Sequence, residues 1–218
     1  SPGASAEPRP GPPPQSGLKP PGRPAAKRSR SLRLFVASAF EPGFISNLAA
    51  IAEHARANSA AGAVKWVAPA NFHITYAFLG DLEQSARAVR GMEAGLAGVK
   101  AFSVSSGGFG VFPSSRHPSV LWVGIDEGAG QLREAAGKLA ESLAAEGLVF
   151  ENRHRVMWDC FEPHITLGRV KGPLPENFLG RAAAFAQARK AVSSISSIDL
   201  LESVLTPAGP EYRTVFSK

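Results

Sequence analysis

The sequence predicts an α+β domain built as a bilobal duplicated unit, with two antiparallel sheets facing a central cleft and helices on the outer faces. The tripeptide His-Ile-Thr occurs twice, beginning at His73 and at His164, each time within an apolar run typical of a strand. Each half of the chain also reads strand, helix, His-x-Thr strand, helix, strand, which indicates an internal duplication. The predicted lobes are roughly 32–112 and 119–218, intertwined.

In the first half, the hydrophobic period distinguishes strands from helices. Gly80 is predicted to end the first motif strand, and Asp81 with Gln84 three residues later predicts a capping box for the next helix. Glycines in the last segment indicate a bend or bulge. The predicted elements are a strand at 32–40, an amphipathic helix at 45–57, the motif strand within 65–80, a helix reaching Gly95, and a broken strand at 102–112.

The second half repeats this order and adds one short strand at the end. An alanine-rich segment predicts its first helix, and apolar alternation predicts its strands. The predicted elements are a strand at 119–125, a helix at 130–147, the second motif strand at 163–170, a helix at 176–191, a strand at 195–205 and a last strand at 212–217.

Composition excludes several classes of protein. No run approaches the ~20 apolar residues of a membrane span, so no membrane partner is expected. The single cysteine, Cys160, agrees with a reducing compartment and with a cytoplasmic location. The sequence has no CxxC, no HExxH and no acidic cluster at calcium-loop spacing, so neither a metal nor another cofactor is expected.

Residues 1–31 differ from the rest of the chain. They hold nine of the 18 prolines and most of the net charge of +6, with few large apolar residues. Such a segment predicts a disordered or polyproline-like tail preceding a folded domain at 32–218. It also lacks the apolar region of a secretory signal. The tail is interpreted as a passive extension or, alternatively, as a weak electrostatic aid to RNA capture.

The spacing within each His-x-Thr triplet places its two polar residues together, because residues i and i+2 of a strand share a face. His73 and Thr75 are therefore predicted to share one polar face. His164 and Thr166 are predicted to share another, and a two-fold relation of the lobes would bring the faces opposite each other. The other side of the strands is predicted to be apolar, with Ile74, Tyr76, Phe78, Ile165 and Leu167.

Two imidazoles and two hydroxyls across a cleft suit a phosphodiester. A neutral ring takes a proton from water while a charged ring gives one to the leaving oxygen. The threonine hydroxyls donate to the non-bridging oxygens as charge develops there. The simpler alternative is that the histidines are hydrogen-bonded structural residues. A metal site is the other functional option, but it would favour His-x-His or nearby carboxylates over threonine.

Several segments carry a resemblance to a known family: "RLFVASAF", "KWVAPANFHITYAFLG", "VLWVGI", "FEPHITLGRV" and "LLESVLTPAGPEYRTVF". From about Arg33 to Phe216 the chain resembles the RNA 2′,3′-cyclic phosphodiesterase family. This family is also called the 2′-5′ RNA ligase family, and it belongs to the two-histidine phosphoesterase superfamily. The paired motifs are typical of the superfamily, and the "FLG", "PHITLGR" and closing Ser-x-Leu-x-Pro-x-Gly-Pro-x-Tyr segments narrow it to this family.

The resemblance implies that His73 is the proton donor and His164 the proton acceptor, with Thr75 and Thr166 holding the phosphate. Water would open a 2′,3′-cyclic phosphate at its 3′ side and leave a 2′-phosphomonoester. The implied partner is an RNA or nucleotide with such an end, bound by a monomer without a cofactor. Arg169 would assist at the phosphate or the substrate edge.

Three points stay open at this stage. Strand alternation puts Arg169 on the face opposite His164 unless Gly168 permits a bulge, so a surface ion pair is its alternative role. Phe40 and Trp158 could stack on a base, although core packing or a loop position is the simpler expectation. The activity could also be ligation of the cyclic end to a 5′-hydroxyl, or binding of RNA ends without chemistry.

Overall fold

The computed structural model describes residues 31–148, 161–207 and 209–218. The predicted tail lies outside them apart from residue 31, as do Trp158 and Cys160. The elements are β1 Leu32–Ser38, α1 Pro42–Ala57, β2 Val64–Trp66, a 3₁₀ turn Pro69–Asn71, β3 Ile74–Leu82, α2 Ala86–Gly95, β4 Phe102–Pro113, β5 Pro118–Ile125, α3 Ala129–Ala145, β6 His164–Val170, α4 Phe178–Gln187, β7 Val192–Ile195, β8 Asp199–Thr206 and β9 Gly209–Ser217.

The strands form one antiparallel hydrogen-bonded path in the order β7-β4-β5-β6-β3-β1-β8-β9, with β2 beside β6. The mixed helix and strand fold is therefore confirmed. Two separate sheets and a bilobal duplicated unit are not confirmed, because β3 and β6 join the two sides of the path through the pair Ile74 and Ile165.

The strand order mixes the two halves of the sequence. Strand β4 comes from the first half and pairs with β5 of the second half. Strand β8 comes from the second half and pairs with β1 of the first half. Neither side of the sheet is thus made by one half of the chain alone.

The core lies between the helices and one face of the sheet. Leu48 of α1 and Leu132 of α3 are fully buried in the same apolar cluster as Ile74 and Ile165 of the two motif strands. The helices thereby leave the opposite face of the sheet to the polar residues of the motifs. No helix within the described ranges is long and apolar enough to span a bilayer.

The predicted boundary after the first motif strand is wrong. Strand β3 continues through Gly80 to Leu82, and α2 begins at Ala86 with Ser85 at its N-cap. Asp81 is therefore a strand residue rather than a cap, and its carboxylate Oδ1 lies 3.7 Å from Nε of its cross-strand partner Arg33. Likewise, the region predicted as one strand at 195–205 contains the end of β7 and most of β8.

A bulge in β3 changes which residues share its faces. Val36 of β1 pairs with Ala77, whereas the next residue, Ala37, pairs with Thr75, so Tyr76 is the extra residue. Both Tyr76 and Ala77 are buried. Phe78 consequently lies on the face of Thr75, with 48% of its surface exposed, and the prediction that it shares the face of Ile74 is wrong.

A second bulge lies in β6. Trp122 of β5 pairs with Thr166, and Leu121 pairs with Gly168, so Leu167 is the extra residue. Gly168 also allows β2 to approach, since a Cβ on it would lie 2.6 Å from Cγ1 of Val64. The predicted bends in β4 are also found, as a register shift between Ser106 and Phe109.

We expect Gly168→Ala to lower the free energy of unfolding by about 1–3 kcal/mol, because the added methyl overlaps Val64 in a packed core. Gly137→Ala is the matched control. Its Cβ would meet nothing within 4 Å, and alanine is the better helix former by about 0.5–1 kcal/mol. Urea unfolding checks both, and equal or greater stability of Gly168→Ala would contradict the close approach of β2.

Candidate active site

The two His-x-Thr triplets meet where β3 contacts β6. Ile74 and Ile165, the central residues of the triplets, are register partners, and both are fully buried toward the helices. Side chains alternate between the faces of a strand, so the flanking histidines and threonines project from the other face. In this antiparallel register, His73 neighbours Thr166 and Thr75 neighbours His164.

Each histidine ring is oriented by its own stretch of backbone. The Nδ1–H of His73 donates to the carbonyl oxygen of Asn71 at 2.7 Å. The Nδ1–H of His164 donates in the same way to the carbonyl oxygen of Glu162 at 2.8 Å. Because a carbonyl only accepts, Nδ1 must carry the proton in both rings, and Nε2 is the nitrogen left for proton exchange.

Aromatic side chains surround His73. The rings of Phe35 and Tyr212 have their centroids 5.2 and 5.3 Å from its imidazole, and Tyr212 stands edge-on at 89°. The amide of Asn71 donates to the carbonyl oxygen of Pro210 at 3.0 Å. The C-terminal hairpin formed by β8 and β9 is therefore tied to the segment that carries His73.

A separate aromatic pair flanks His164. Phe112 lies edge-on to its ring at 5.0 Å, and Trp122 lies 6.2 Å away. Gly110 leaves room for the indole, because a Cβ at that position would overlap the ring of Trp122. The indole Nε1–H is buried and has no hydrogen-bond partner among the described residues.

Burial lowers the pKa of His73 below its ordinary value of 6.5. The hydrogen bond to Asn71 opposes this shift, and the charge of His164 adds to it. The electrostatic effect of one ring on the other agrees with the closeness of the two triplets. His73 therefore favours its neutral form near neutral pH.

The bulge in β6 returns Arg169 to the face of the motif. Thr166 is paired with Trp122 and Arg169 with Val120. Trp122 and Val120 share a face of β5, so Thr166 and Arg169 share it as well. Burial raises the pKa of Tyr212, and the charge of Arg169 opposes that shift. The structure thus places Arg169 beside the candidate site, in the way that the predicted bulge at Gly168 would allow.

The sequence did not single out Phe35, Phe112, Trp122 or Tyr212 as site residues. Aromatic residues in strands are commonly core residues, and only the pairing of distant strands brings these four to the two histidines. Phe40 is 7% exposed and stacks on Phe44 at 4.5 Å, which confirms core packing over base stacking. Trp158 lies outside the described residues.

Other surface features lie apart from the motifs. A depression of about 630 Å³ lies between the β4–β5 loop and the start of α4. Its lining includes Arg116, His117 and Phe178 and neither His-x-Thr triplet. In the described part of the chain, His, Cys, Asp and Glu side chains do not form a group of three that could hold a metal ion.

Comparison with known proteins gives consistent matches. Residues 45–203 match the family model of the 2′-5′ RNA ligase superfamily. The RNA 2′,3′-cyclic phosphodiesterase of Methanothermobacter thermautotrophicus is 33% identical over 184 residues, which cover 83% of this chain and 95% of that protein. The protein of the same name from Aeropyrum pernix is 32% identical over 155 residues, 70% of this chain and 84% of the relative.

Solved structures agree with the fold. A crystal structure of a Thermus thermophilus protein superposes with a TM-score of 0.65 at 26% identity, and the match covers 85% of this chain and 96% of that one. E. coli LigT in its apo form superposes with a TM-score of 0.60 at 22% identity, covering 87% and 98% of the two chains.

We expect an NMR titration to give His73 a pKa below 6.5, because burial disfavours its cation. His164→Asn should raise that pKa, since it removes the neighbouring positive charge. His117→Asn, at an exposed loop position, is the control and should leave it unchanged. A His73 pKa that does not respond to His164→Asn would contradict the coupling of the two rings.

Proposed function

Because this chain belongs to the 2′-5′ RNA ligase superfamily, we propose that it is an RNA 2′,3′-cyclic phosphodiesterase. It opens the cyclic phosphate at the end of an RNA or nucleotide and leaves a 2′-phosphomonoester. Several curated relatives with this name, at 31–33% identity, support the activity. The pairing of Ile74 with Ile165, which sets the two triplets side by side, is the structural observation that carries the proposal.

In the proposed reaction, the two rings act on opposite sides of one phosphorus. Nε2 of neutral His164 takes a proton from water, whose oxygen forms the new bond to phosphorus. Nε2–H of protonated His73 gives its proton to the 3′ oxygen as the bond from phosphorus to that oxygen breaks. The hydrogen bonds from each Nδ1–H to a backbone carbonyl support this use of Nε2.

Because the pKa of His73 is lowered, the bound substrate must favour the protonated form of this ring if it is to act as the proton donor. An anionic phosphodiester beside the ring favours the imidazolium and raises its pKa. His73 thus becomes an acid when the cyclic end is bound.

Thr75 and Thr166 donate hydrogen bonds to the non-bridging oxygens in this proposal. Both threonines are half-buried, and each lies opposite a histidine of the other triplet where β3 pairs with β6. Preorganised donors of this kind contribute about 10²–10³ in rate at other anionic transition states. Arg169, on the same face, supplies positive charge to the substrate.

Ligation is a second candidate, and the family description favours it. A 5′-hydroxyl would replace water as the nucleophile, and the same two histidines would move the same protons to form a 2′-5′ linkage. Comparison of product ratios with and without an excess of a 5′-hydroxyl oligonucleotide separates the two reactions.

The division of the domain into two lobes is part of the same proposal. We infer that each side of the β6/β3 junction corresponds to one lobe of a duplicated domain spanning 32–218. The order β6-β5-β4-β7 on one side and β3-β1-β8-β9 on the other supports this. Since one chain supplies both triplets, the domain acts as a monomer.

We expect a 2′,3′-cyclic oligonucleotide to be opened to its 2′-phosphate in excess EDTA, because protein side chains supply the acid and the base. His73→Ala and His164→Ala should each lower kcat by about 10²–10⁴. His117→Ala is the control with unchanged kcat. Product analysis by chromatography and phosphorus NMR gives the readout, and turnover that survives either motif substitution would sink the two-histidine mechanism.

The two rings can be assigned separately with a cyclic substrate whose 3′ bridging oxygen is replaced by sulfur. A thiolate leaves with little need of a proton, since thiols have a pKa of about 8.5. We expect His73→Asn to regain much of its lost rate on this substrate and His164→Asn to regain none. Rates are measured by stopped flow or chromatography. If His164→Asn regained its rate and His73→Asn did not, His164 would be the proton donor and His73 the proton acceptor.

A further inference from the structure

Lys65 of β2 lies directly opposite Arg169 of β6 in the antiparallel register. Partners directly opposite in such a pair have their side chains on one face of the sheet. Arg169 shares its face with Thr166, so Lys65 extends that face by one strand. Both side chains are exposed.

Backbone pairing of β2 with β6 holds Lys65 in place. The neighbouring pairs Val64–Val170 and Trp66–Gly168 are in register with it. The Val67 N–H donates to the carbonyl oxygen of Leu167 at 2.9 Å, which fixes β2 beyond Lys65 as well. The strand on which the lysine stands is therefore anchored along its whole length.

Two like charges directly opposite each other destabilise a strand pair. Carboxylates do not offset the cost here, because no ion pair within the described ranges includes Lys65 or Arg169. Two opposed cations without a carboxylate partner, at the edge of the face that carries the motif residues, are suited to an anion that bridges them.

We propose that Lys65, together with Arg169, binds the phosphate on the 5′ side of the ribose that carries the cyclic end. This inference rests on the proposed function and makes an RNA chain, rather than a bare cyclic nucleotide, the preferred substrate. The two motif triplets already provide the donors for the cyclic phosphate. Arg169, three residues along β6 from Thr166, and Lys65, opposite it on β2, are placed for the next phosphate of the chain.

The lysine suits this task because its ammonium group is a point charge on a flexible stem. It follows a phosphodiester without a fixed geometry and without reading the base. The subsite therefore predicts recognition of the sugar-phosphate backbone, with little preference for sequence.

The test compares three substrates that share an adenosine with a 2′,3′-cyclic phosphate. The first has a free 5′-hydroxyl (the nucleoside form), the second has a 5′-phosphate, and the third is a dinucleotide in which a phosphodiester joins the 5′ oxygen of that adenosine to a second nucleoside. We expect the wild type to prefer the two phosphate-bearing forms in kcat/KM. Lys65→Gln should reduce that preference about tenfold, as for loss of one hydrogen bond to a charged group, and leave the nucleoside form unchanged. Comparison of the last two substrates separates a terminal phosphate from an internal phosphodiester.

Lys138→Gln is the matched control, since this exposed lysine of α3 pairs with Glu134 at 2.7 Å on the helix side of the sheet. It should leave the preference unchanged, and Lys65→Arg should retain it. In salt titrations with the dinucleotide, Lys65→Gln should reduce the slope of log affinity against log salt by about 0.7, the value for one phosphate contact on a single strand.

A further readout does not depend on catalysis. Lys65→Gln should raise the Tm at low ionic strength, because it removes a repulsion, and the gain should shrink as salt screens the charges. Lys138→Gln should not raise it. The proposed subsite is rejected if Lys65→Gln keeps the wild-type preference, or if it slows all three substrates equally. A wild type that opens none of them would reject the proposed function instead, and an unraised Tm would reject the repulsion that motivates the subsite.

Discussion

The contact between Ile74 and Ile165 is the constraint on which the candidate site depends. Both side chains are fully buried beneath the helices, and burial of an isoleucine contributes about 1.5–3 kcal/mol. A slip of either strand by one residue would exchange its faces, so that apolar side chains would replace the motif residues on the outer face and the histidines would enter the core. The hydrophobic core thereby fixes the positions of polar groups that it never touches.

The two halves of the sequence are held together by exchange of strands. Strand β4 leaves the first half of the sequence to pair with β5, and β8 returns from the second half to pair with β1. Separation of the two sequence halves would therefore break the β4–β5 and β8–β1 pairings, in addition to the contact between β3 and β6. A rigid frame of this kind suits a site whose residues come from distant parts of the chain.

Local sequence patterns predicted most of the elements and the faces of the motif residues. The alternation around His164 was enough to place Ile165 and Leu167 in the core. Patterns failed where a partner strand decides the outcome. Asp81 carries the signal of a helix cap, yet pairing with Arg33 keeps it in a strand. The bulge at Tyr76 is set by β1, and no local pattern shows that Phe78 turns to the other face.

The site itself divides in the same way. The triplets are visible in the sequence because they repeat. Gly168 indicated that a bulge was possible, and such a bulge brings Arg169 to the face of the triplets. The aromatic residues around the histidines carry no such repeat. Tyr212 reaches His73 only because the C-terminal hairpin folds back and Asn71 binds Pro210, which is a property of the tertiary structure.

Each imidazole takes its orientation from the carbonyl two residues before it in its own chain segment. The orientation of each ring is therefore set locally, whereas the core contact of Ile74 and Ile165 sets the position of one triplet relative to the other. The flanking aromatic and basic side chains can therefore change without loss of the hydrogen bond that orients each imidazole. Variation in what surrounds the two triplets is thus separable from the orientation of the rings themselves.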